Sequence, residues 1–306
     1  MQKLLATSLV LLICAGLFFI ASNAKITQPQ TPQNSDFQQP QLTALAAEPE
    51  LIPQANSSPA TPNSAEQLVV IARQDWKLDQ PLHTQLTELK SRANQGDLLA
   101  TYMLAMNLRF CATAALNETD LEARLQQAYD YKDDGVAIIT IKERYEFCAG
   151  IDQQQRDEFY AYLETAAKAG YVPAQEEMAT VTPEQFMQLA GATELEREAY
   201  IQKRQDLIQL QLSLLESASQ HGSIKALITL STMHHSQNYG EHGRAKSYAF
   251  NLLILELTDD NGLHSRYSDF VQRRESELTP EQIEQAQALS QQWLAIIKAN
   301  GTLYPQ

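Results

Sequence analysis

The sequence predicts an all-α fold, an irregular α-solenoid of stacked antiparallel helical hairpins. From about residue 66 onward, helix-forming residues dominate and prolines are rare. Two segments, beginning at Thr182 and Thr279, share the helix-start pattern Thr-Pro-Glu-Gln, in which threonine caps the helix and proline takes its first position. In addition, three segments align without gaps around a central glycine, as expected for an internal repeat.

The repeated segments are residues 89–104, 163–178 and 215–230. Each has a leucine seven residues before its glycine, a small residue three before it and an alanine four after it. The central glycines are Gly96, Gly170 and Gly222; the leucine and small residue before them are Leu89 and Ala93, Leu163 and Ala167, and Leu215 and Ser219; the alanines after them are Ala100, Ala174 and Ala226.

This spacing predicts one helical hairpin per segment. The leucine and the small residue lie on one face of a helix that ends at the glycine. Glycine accepts the left-handed conformation at a helix C-terminus, where a Cβ would be strained. The following alanine lies on the second helix, where a small side chain lets the two backbones approach. One such hairpin cannot bury its apolar face alone, so neighbouring hairpins must stack.

The chain divides into three predicted regions. Residues 1–24 contain Lys3, an uncharged apolar run over residues 4–20 and small residues before a cut at Lys25, the order of a secretory signal peptide. The run is also long enough to remain as an N-terminal membrane anchor, and Cys14 leaves a lipoprotein as a third alternative. Residues 25–65 are rich in proline and glutamine and predict a disordered linker, either a functional spacer or a tolerated terminus. Residues 66–306 form the predicted helical domain.

Composition limits the partners and the compartment. The net charge of −14 disfavours nucleic acid, and it disfavours membrane binding unless the N-terminal segment stays uncleaved. We expect export to the periplasm or cell envelope. After cleavage, Cys111 and Cys148 remain, and an even number of cysteines outside the cytoplasm favours a disulfide. Two buried reduced thiols are the alternative.

The repeat register resembles that of the Sel1-like family of tetratricopeptide-type helical repeats. The resemblance is closest at residues 162–170 and continues well over residues 215–233. Residues 245–248, which place Ala245 and Tyr248 at expected small and aromatic positions, extend it. The resemblance implies an adaptor or regulatory role in protein complexes.

Three features depart from a regular Sel1-like array. The glycine-to-glycine spacings of 74 and 52 residues exceed one repeat of that family. We expect a degenerate hairpin near residues 121–148 in the first gap and an inserted helix over residues 194–212 in the second. The two cysteines are 37 residues apart, about one repeat length, so a disulfide between them could join equivalent turns of neighbouring hairpins.

The sequence offers no catalytic, cofactor-binding or metal-ligating residues. It lacks a Gly-x-Ser-x-Gly nucleophile motif, a Ser-x-x-Lys pair and a glycine-rich phosphate loop. His234, His235 and His242 lie close in sequence but lack the i, i+3 or i+4 spacing of a helical metal site. The prediction is therefore no enzyme and no cofactor.

Aromatic residues gather around the cysteines, and two interpretations remain open. They could form a concave surface that captures a peptide, or they could fill the core where helices cross. The residues are Phe110 and Phe147, each directly before a cysteine, together with Tyr129, Tyr131, Tyr145, Tyr160 and Tyr162.

The predicted function is a non-enzymatic envelope scaffold whose helical repeats mediate protein–protein interactions with an unidentified envelope protein or peptide. An enzyme, or an enzyme accessory, that acts on cell-wall polymer is one alternative. A purely structural, disulfide-stapled module is another.

Overall fold

The computed structural model describes residues 68–131, 135–236 and 242–306. This part of the chain is mostly helical with almost no strand, which confirms the predicted all-α class. No helix in these ranges combines the length and apolar composition needed to cross a bilayer. The predicted signal peptide or anchor (1–24) and the predicted linker (25–65) lie outside the described residues.

The described residues contain thirteen helices and two short strands. The helices are α1 (Leu82–Asn94), α2 (Leu98–Ala112), α3 (Glu118–Asp130), α4 (Gly135–Phe147), α5 (Gln153–Asp157), α6 (Phe159–Lys168), α7 (Val172–Met178), α8 (Pro183–Leu189), α9 (Arg197–Gln220), α10 (Ile224–Ser236), α11 (Gly243–Leu257), α12 (Asn261–Glu275) and α13 (Pro280–Asn300). The strands are β1 (Val69–Val70) and β2 (Thr302–Leu303).

The three repeat glycines lie in turns of one common geometry. Gly96 joins α1 to α2, Gly170 joins α6 to α7, and Gly222 joins α9 to α10, with φ angles of 86°, 88° and 77°. In each turn the glycine N–H donates to the carbonyl three residues earlier, and the next N–H donates to the carbonyl five residues earlier. This pair of bonds closes a helix C-terminus around a left-handed residue.

Helix caps explain why the second helix starts directly after the turn. The Asp97 carboxylate accepts a hydrogen bond from the Ala100 N–H at 3.0 Å, and the Ser223 hydroxyl accepts one from the Ala226 N–H at 2.9 Å. Both caps satisfy a backbone donor that has no partner within its own helix. In α7, proline occupies the first turn instead.

The predicted packing positions lie in the core. Eight of the nine are buried, and Ala93 is half-buried against the cluster around α1 and α2. Leu89 and Ala100 belong to that cluster, while Leu163, Ala167 and Ala174 belong to a second one built from α2, α6 and α7. Leu215 and Ala226 belong to a third cluster, and buried Ser219 lies beside them on α9.

Each helix pair packs mainly on the next pair along the chain. Helix α2 packs on α6, α7 packs on α9, and α10 packs on α11, which in turn contacts α12 and α13. The α3–α4 hairpin is inserted between α2 and α5, where we expected a degenerate hairpin. The core is therefore a series of neighbouring clusters.

Two helices begin where the sequence predicted, and one differs from the prediction. Thr182 and Thr279 cap α8 and α13, and proline takes the first position of each, which confirms both helix starts. The helix expected over residues 194–212 continues without interruption to Gln220 as α9. No glycine or proline stands between Arg197 and Gln220, so nothing in the backbone ends the helix before the repeat turn.

Helix α7 ties distant parts of the chain together through Glu176. Its carboxylate accepts two hydrogen bonds from Arg73, at 3.1 and 2.6 Å, and one from the Ser223 hydroxyl at 2.6 Å. Arg73 lies in the extended segment before α1, and Ser223 caps α10. One buried carboxylate therefore fastens the N-terminal segment to the turn between α9 and α10.

The two strands form a small parallel sheet that closes over the same turn. Val69 pairs with Thr302 and Val70 with Leu303, and the next residue, Tyr304, forms a bridge to Ser223. The end of the chain therefore passes directly over Gly222. A Cβ added at Gly222 would overlap the carbonyl oxygen of Thr302, whereas one added at Gly170 would meet no atom within 4 Å.

Alanine substitutions at these two glycines are expected to differ in effect. Gly170→Ala should lower the free energy of unfolding by about 1–2 kcal/mol, the strain of a left-handed non-glycine residue. Gly222→Ala adds an overlap with the backbone of Thr302, so we expect a clearly larger loss and release of the C-terminal strand. Urea denaturation and hydrogen exchange at residues 302–304 measure both effects. Equal losses would contradict the close approach.

Candidate functional site

The predicted disulfide is present. Cys111, near the end of α2, is bonded to Cys148, the residue after α4, with their Cα atoms 5.5 Å apart. Both side chains are buried in the cluster around α1 and α2. The bond joins the ends of α2 and α4, the second helices of the neighbouring α1–α2 and α3–α4 hairpins. It therefore fastens the end of the inserted α3–α4 hairpin to the end of α2.

Three arginines converge on the loop that leaves α2. Arg124 donates to the Thr113 carbonyl at 2.6 Å, and Arg144 donates to the Thr113 hydroxyl at 2.8 Å. Arg156 donates to two further loop carbonyls, those of Ala114 and Ala115, at 2.7 and 3.2 Å. Cations are favoured at a helix C-terminus, where carbonyl groups lack intrahelical partners. We call Arg124, Arg144 and Arg156 the arginine cluster.

Only part of the positive charge in the arginine cluster is compensated. Arg124 forms an ion pair with Asp120 at 2.9 Å, and this pair, together with the Leu116 N–H, holds the pKa of Asp120 below its usual value. Arg156 is 2% exposed, and burial, reinforced by the nearby Arg124, lowers its pKa. Among the described residues, no carboxylate lies within ion-pair distance of Arg144 or Arg156.

Arg144 is held in an unusual environment. Its guanidinium lies 4.6 Å from the centre of the Phe110 ring, a cation–π geometry. Its Nε atom is buried and has no hydrogen-bond partner among the described residues. An unpaired buried donor is destabilising unless a ligand or solvent satisfies it.

A cavity of about 300 Å³ opens beside the arginine cluster, between the α2 end and the α3–α4 hairpin. Its wall combines polar side chains that can donate or accept hydrogen bonds with small apolar ones. The lining residues are Thr113, Ala114, Ala115, Arg124, Gln127, Ala128, Tyr131, Thr140, Ile141 and Arg144.

The α3–α4 hairpin also carries an uncovered apolar surface. Helix α4 has no buried residue, although its first half is rich in aliphatic side chains. Val136 is 68% exposed and Ile139 is 55% exposed, and Tyr129 and Tyr131 of the preceding helix end are exposed as well. We call these four residues the hairpin face. Exposed apolar side chains gathered in one element are typical of an interaction surface.

Acidic groups surround the hairpin face. Among the described hairpin residues, Lys142 is the only exposed cation on the two helices. The exposed carboxylates are those of Glu118, Glu122, Asp130, Glu143 and Glu146. The outer surface of the hairpin is therefore acidic, and the arginine cluster lies at its base.

The aromatic residues near the cysteines divide between the two interpretations. Tyr160 and Tyr162 are partly buried against the helix-crossing core, as the packing interpretation predicted. Tyr129 and Tyr131 are exposed, and they belong to the hairpin face. Tyr145 is half-buried.

Comparison of the chain with protein-family models, with curated proteins and with solved structures finds no match. Within residues 68–131, 135–236 and 242–306, no three His, Cys, Asp or Glu side chains are placed to hold one metal ion. The candidate functional site consists of the hairpin face and the cavity next to the arginine cluster.

Proposed function

We propose that this chain is an exported, non-enzymatic scaffold of Sel1-like helical repeats, an irregular α-solenoid that binds a protein partner in the cell envelope. The repeat turns at Gly96, Gly170 and Gly222 support the repeat assignment, because all three share one backbone geometry and one hydrogen-bond pattern. The order of helix-pair contacts supports stacking of hairpins. The apolar run over residues 4–20 motivates export or, if it is retained, membrane anchoring.

The observation that carries the proposal is the uncovered hairpin face. Burying an aliphatic or aromatic side chain is favourable by about 1.5–3 kcal/mol relative to full exposure, and among the described residues Val136 and Ile139 of α4 gain little of this because they are exposed. A partner that covers Val136, Ile139 and the two tyrosines would recover that energy. The disulfide supports the same function, because it fixes one end of the hairpin and so reduces the entropy lost on binding.

The surroundings of the hairpin face define the chemistry of the partner. A segment that presents apolar side chains flanked by lysine or arginine would pair with the exposed carboxylates of the hairpin. An anionic membrane is a poor occupant, because those carboxylates and the net charge of −14 repel it. We therefore propose an amphipathic, basic segment of an envelope protein as the partner.

Site-specific crosslinking tests this proposal. A photoreactive amino acid at Tyr129, introduced in cells that make the protein, should capture one defined partner, and mass spectrometry should place the crosslink in a basic, apolar segment. Replacing Val136 and Ile139 together by serine should weaken binding of that purified partner by about 2 kcal/mol, roughly 30-fold. Affinity should also fall as salt concentration rises.

A matched control uses the exposed valines of β1. Val69 and Val70 are 60% and 61% exposed, and these exposed fractions are similar to those of Val136 and Ile139. Both valines lie on the small sheet, however, and not on the hairpin. Their double replacement by serine should leave partner affinity within twofold of the wild type. The proposal fails if the hairpin variant binds as well as the wild type, or if both variants lose affinity equally.

A further inference from the structure

The cavity next to the arginine cluster has the properties of a ligand site, and it adjoins the hairpin face through Tyr131. Its volume of about 300 Å³ is at the lower end of the range for small-molecule pockets. The wall combines the guanidinium groups of Arg124 and Arg144 and the hydroxyl groups of Thr113 and Thr140 with alanine and isoleucine side chains. A ligand with an anionic end and a short apolar end would suit both kinds of side chain.

The charges around the arginines indicate which end of the ligand faces them. The Asp120 carboxylate neutralises Arg124, but no described carboxylate pairs with Arg144, whose Nε atom is buried without a partner. Arg156, whose charge is only partly offset by Asp120 and Asp152, lies behind the wall through its bonds to the carbonyls of Ala114 and Ala115. An anionic group in the cavity would face the guanidinium groups of Arg124 and Arg144.

The negative net charge of the whole chain does not prevent an anion from binding in the cavity. Charges separated by more than about 8 Å are largely screened at physiological ionic strength, so the nearest groups decide whether an anion is bound. Among the described residues that line the cavity, the charged groups are arginines, and none is Asp or Glu.

We propose that this cavity binds a carboxylate with a short aliphatic chain, with Arg144 as the principal contact. A carboxylate suits the two guanidinium groups because it accepts hydrogen bonds at both oxygens. The aliphatic part would lie against Ala128 and Ile141. The carboxylate could belong to a free small acid or to an acidic side chain of a bound protein, and the two sources share the same chemistry at the cavity.

Binding of butyrate by the purified protein tests the proposal without any protein partner. Titrations followed by NMR of the ligand should show saturable binding of butyrate, and the neutral analogue butyramide should bind at least tenfold more weakly. Inorganic phosphate serves as a second anion. Equal binding of butyrate and butyramide, or phosphate binding as tight as butyrate binding, would overturn the assignment of a carboxylate site.

Substitutions locate the binding in the cavity. Arg144→Gln should weaken butyrate binding at least tenfold, and Thr140→Leu, which fills the cavity without changing charge, should weaken it similarly. Lys142→Gln is the matched control, because it removes one positive charge from the same helix outside the cavity wall. Butyrate affinity of this variant should stay within twofold of the wild type. If Lys142→Gln and Arg144→Gln weaken binding equally, or if neither Arg144→Gln nor Thr140→Leu weakens it, the cavity is not the site.

A capped glutamate, N-acetyl-glutamate N-methylamide, distinguishes the two sources. Tighter binding of this probe than of butyrate supports a side-chain carboxylate of a bound protein, and tighter binding of butyrate supports a free acid. If neither carboxylate binds, the inference is wrong, while the proposed docking at the hairpin face, which is measured with a protein partner, is unaffected.

Discussion

Removal of the disulfide, by Cys111→Ala together with Cys148→Ala, is expected to lower the free energy of unfolding by about 4 kcal/mol. The bond closes a loop across 37 residues of sequence separation, and the estimate is the chain entropy that such a loop removes from the unfolded state. Alanine is the appropriate replacement, because both cysteines are buried and a serine hydroxyl would add an unpaired polar group. Urea denaturation of the purified protein measures the loss.

The same variant should show where the stabilisation acts. Helix α4 has no fully buried residue, so its attachment depends on α3, on Arg144, on the contact of Phe147 with Phe110 and on the disulfide. We expect amide hydrogen exchange to rise strongly in α3 and α4 and to change little in α9 and α10, which pack in a separate cluster. An unchanged unfolding midpoint, or a uniform rise in exchange along the chain, would contradict this role.

The repeat turns could be predicted because local chemistry determines them. A glycine at a helix C-terminus, with apolar and small residues at helical spacing on both sides, specifies a left-handed turn between two packed helices whatever lies around it. Gly191, between α8 and α9, has the same hydrogen-bond pattern with φ of 59°, yet the internal repeat of the sequence does not include it. Its flanking residues lack the leucine and alanine register that marked the other three glycines.

The small sheet could not be predicted, because tertiary contacts define it. Each strand has two residues, too short to show the alternating pattern that identifies a strand. Val69 and Thr302 are also far apart in sequence, and they pair because the stacked helices place both segments beside the turn at Gly222.

Most of the candidate site could not be predicted from the sequence either. Arg124, Arg144 and Arg156 lie on three different helices and share no spacing that marks a motif. The apolar start of α4 gave no signal of exposure, because an aliphatic helix segment has the same composition whether neighbours cover it or not. The disulfide could be predicted because only two cysteines remain after the predicted cleavage, but not its role in holding the inserted hairpin.

Replacement of Glu176 by alanine is expected to lower the free energy of unfolding by about 3 kcal/mol. The Glu176 side chain is 2% exposed, and its carboxylate is shared between Arg73 and the Ser223 hydroxyl. Removing one partner of a buried ion pair costs about 3–5 kcal/mol, because the remaining charge stays partly desolvated. The lower end applies here, since Arg73 is 27% exposed and regains some hydration.

The neighbouring residue provides a matched control. Glu177 also forms ion pairs, with Arg109 at 3.3 Å and Lys225 at 2.6 Å, but its side chain is 18% exposed and its partners are 21% and 37% exposed. Because exposed pairs contribute about 0–1 kcal/mol, Glu177→Ala should lower the free energy of unfolding by about 1 kcal/mol. Equal losses for the two variants would show that burial does not set the strength of the Glu176 contacts.

The Glu176 variant should also loosen the segment between β1 and α1 selectively. Arg73 lies three residues after the β1 strand. Without the Glu176 carboxylate, Arg73 loses the hydrogen bonds that hold the segment before α1 against α7 and α10. Limited proteolysis should then cut near Arg73 much faster in Glu176→Ala than in Glu177→Ala, while the α3–α4 hairpin stays equally resistant in both. Equal cleavage rates near Arg73 in the two variants would mean that the sheet contacts of β1 hold this segment without the buried carboxylate.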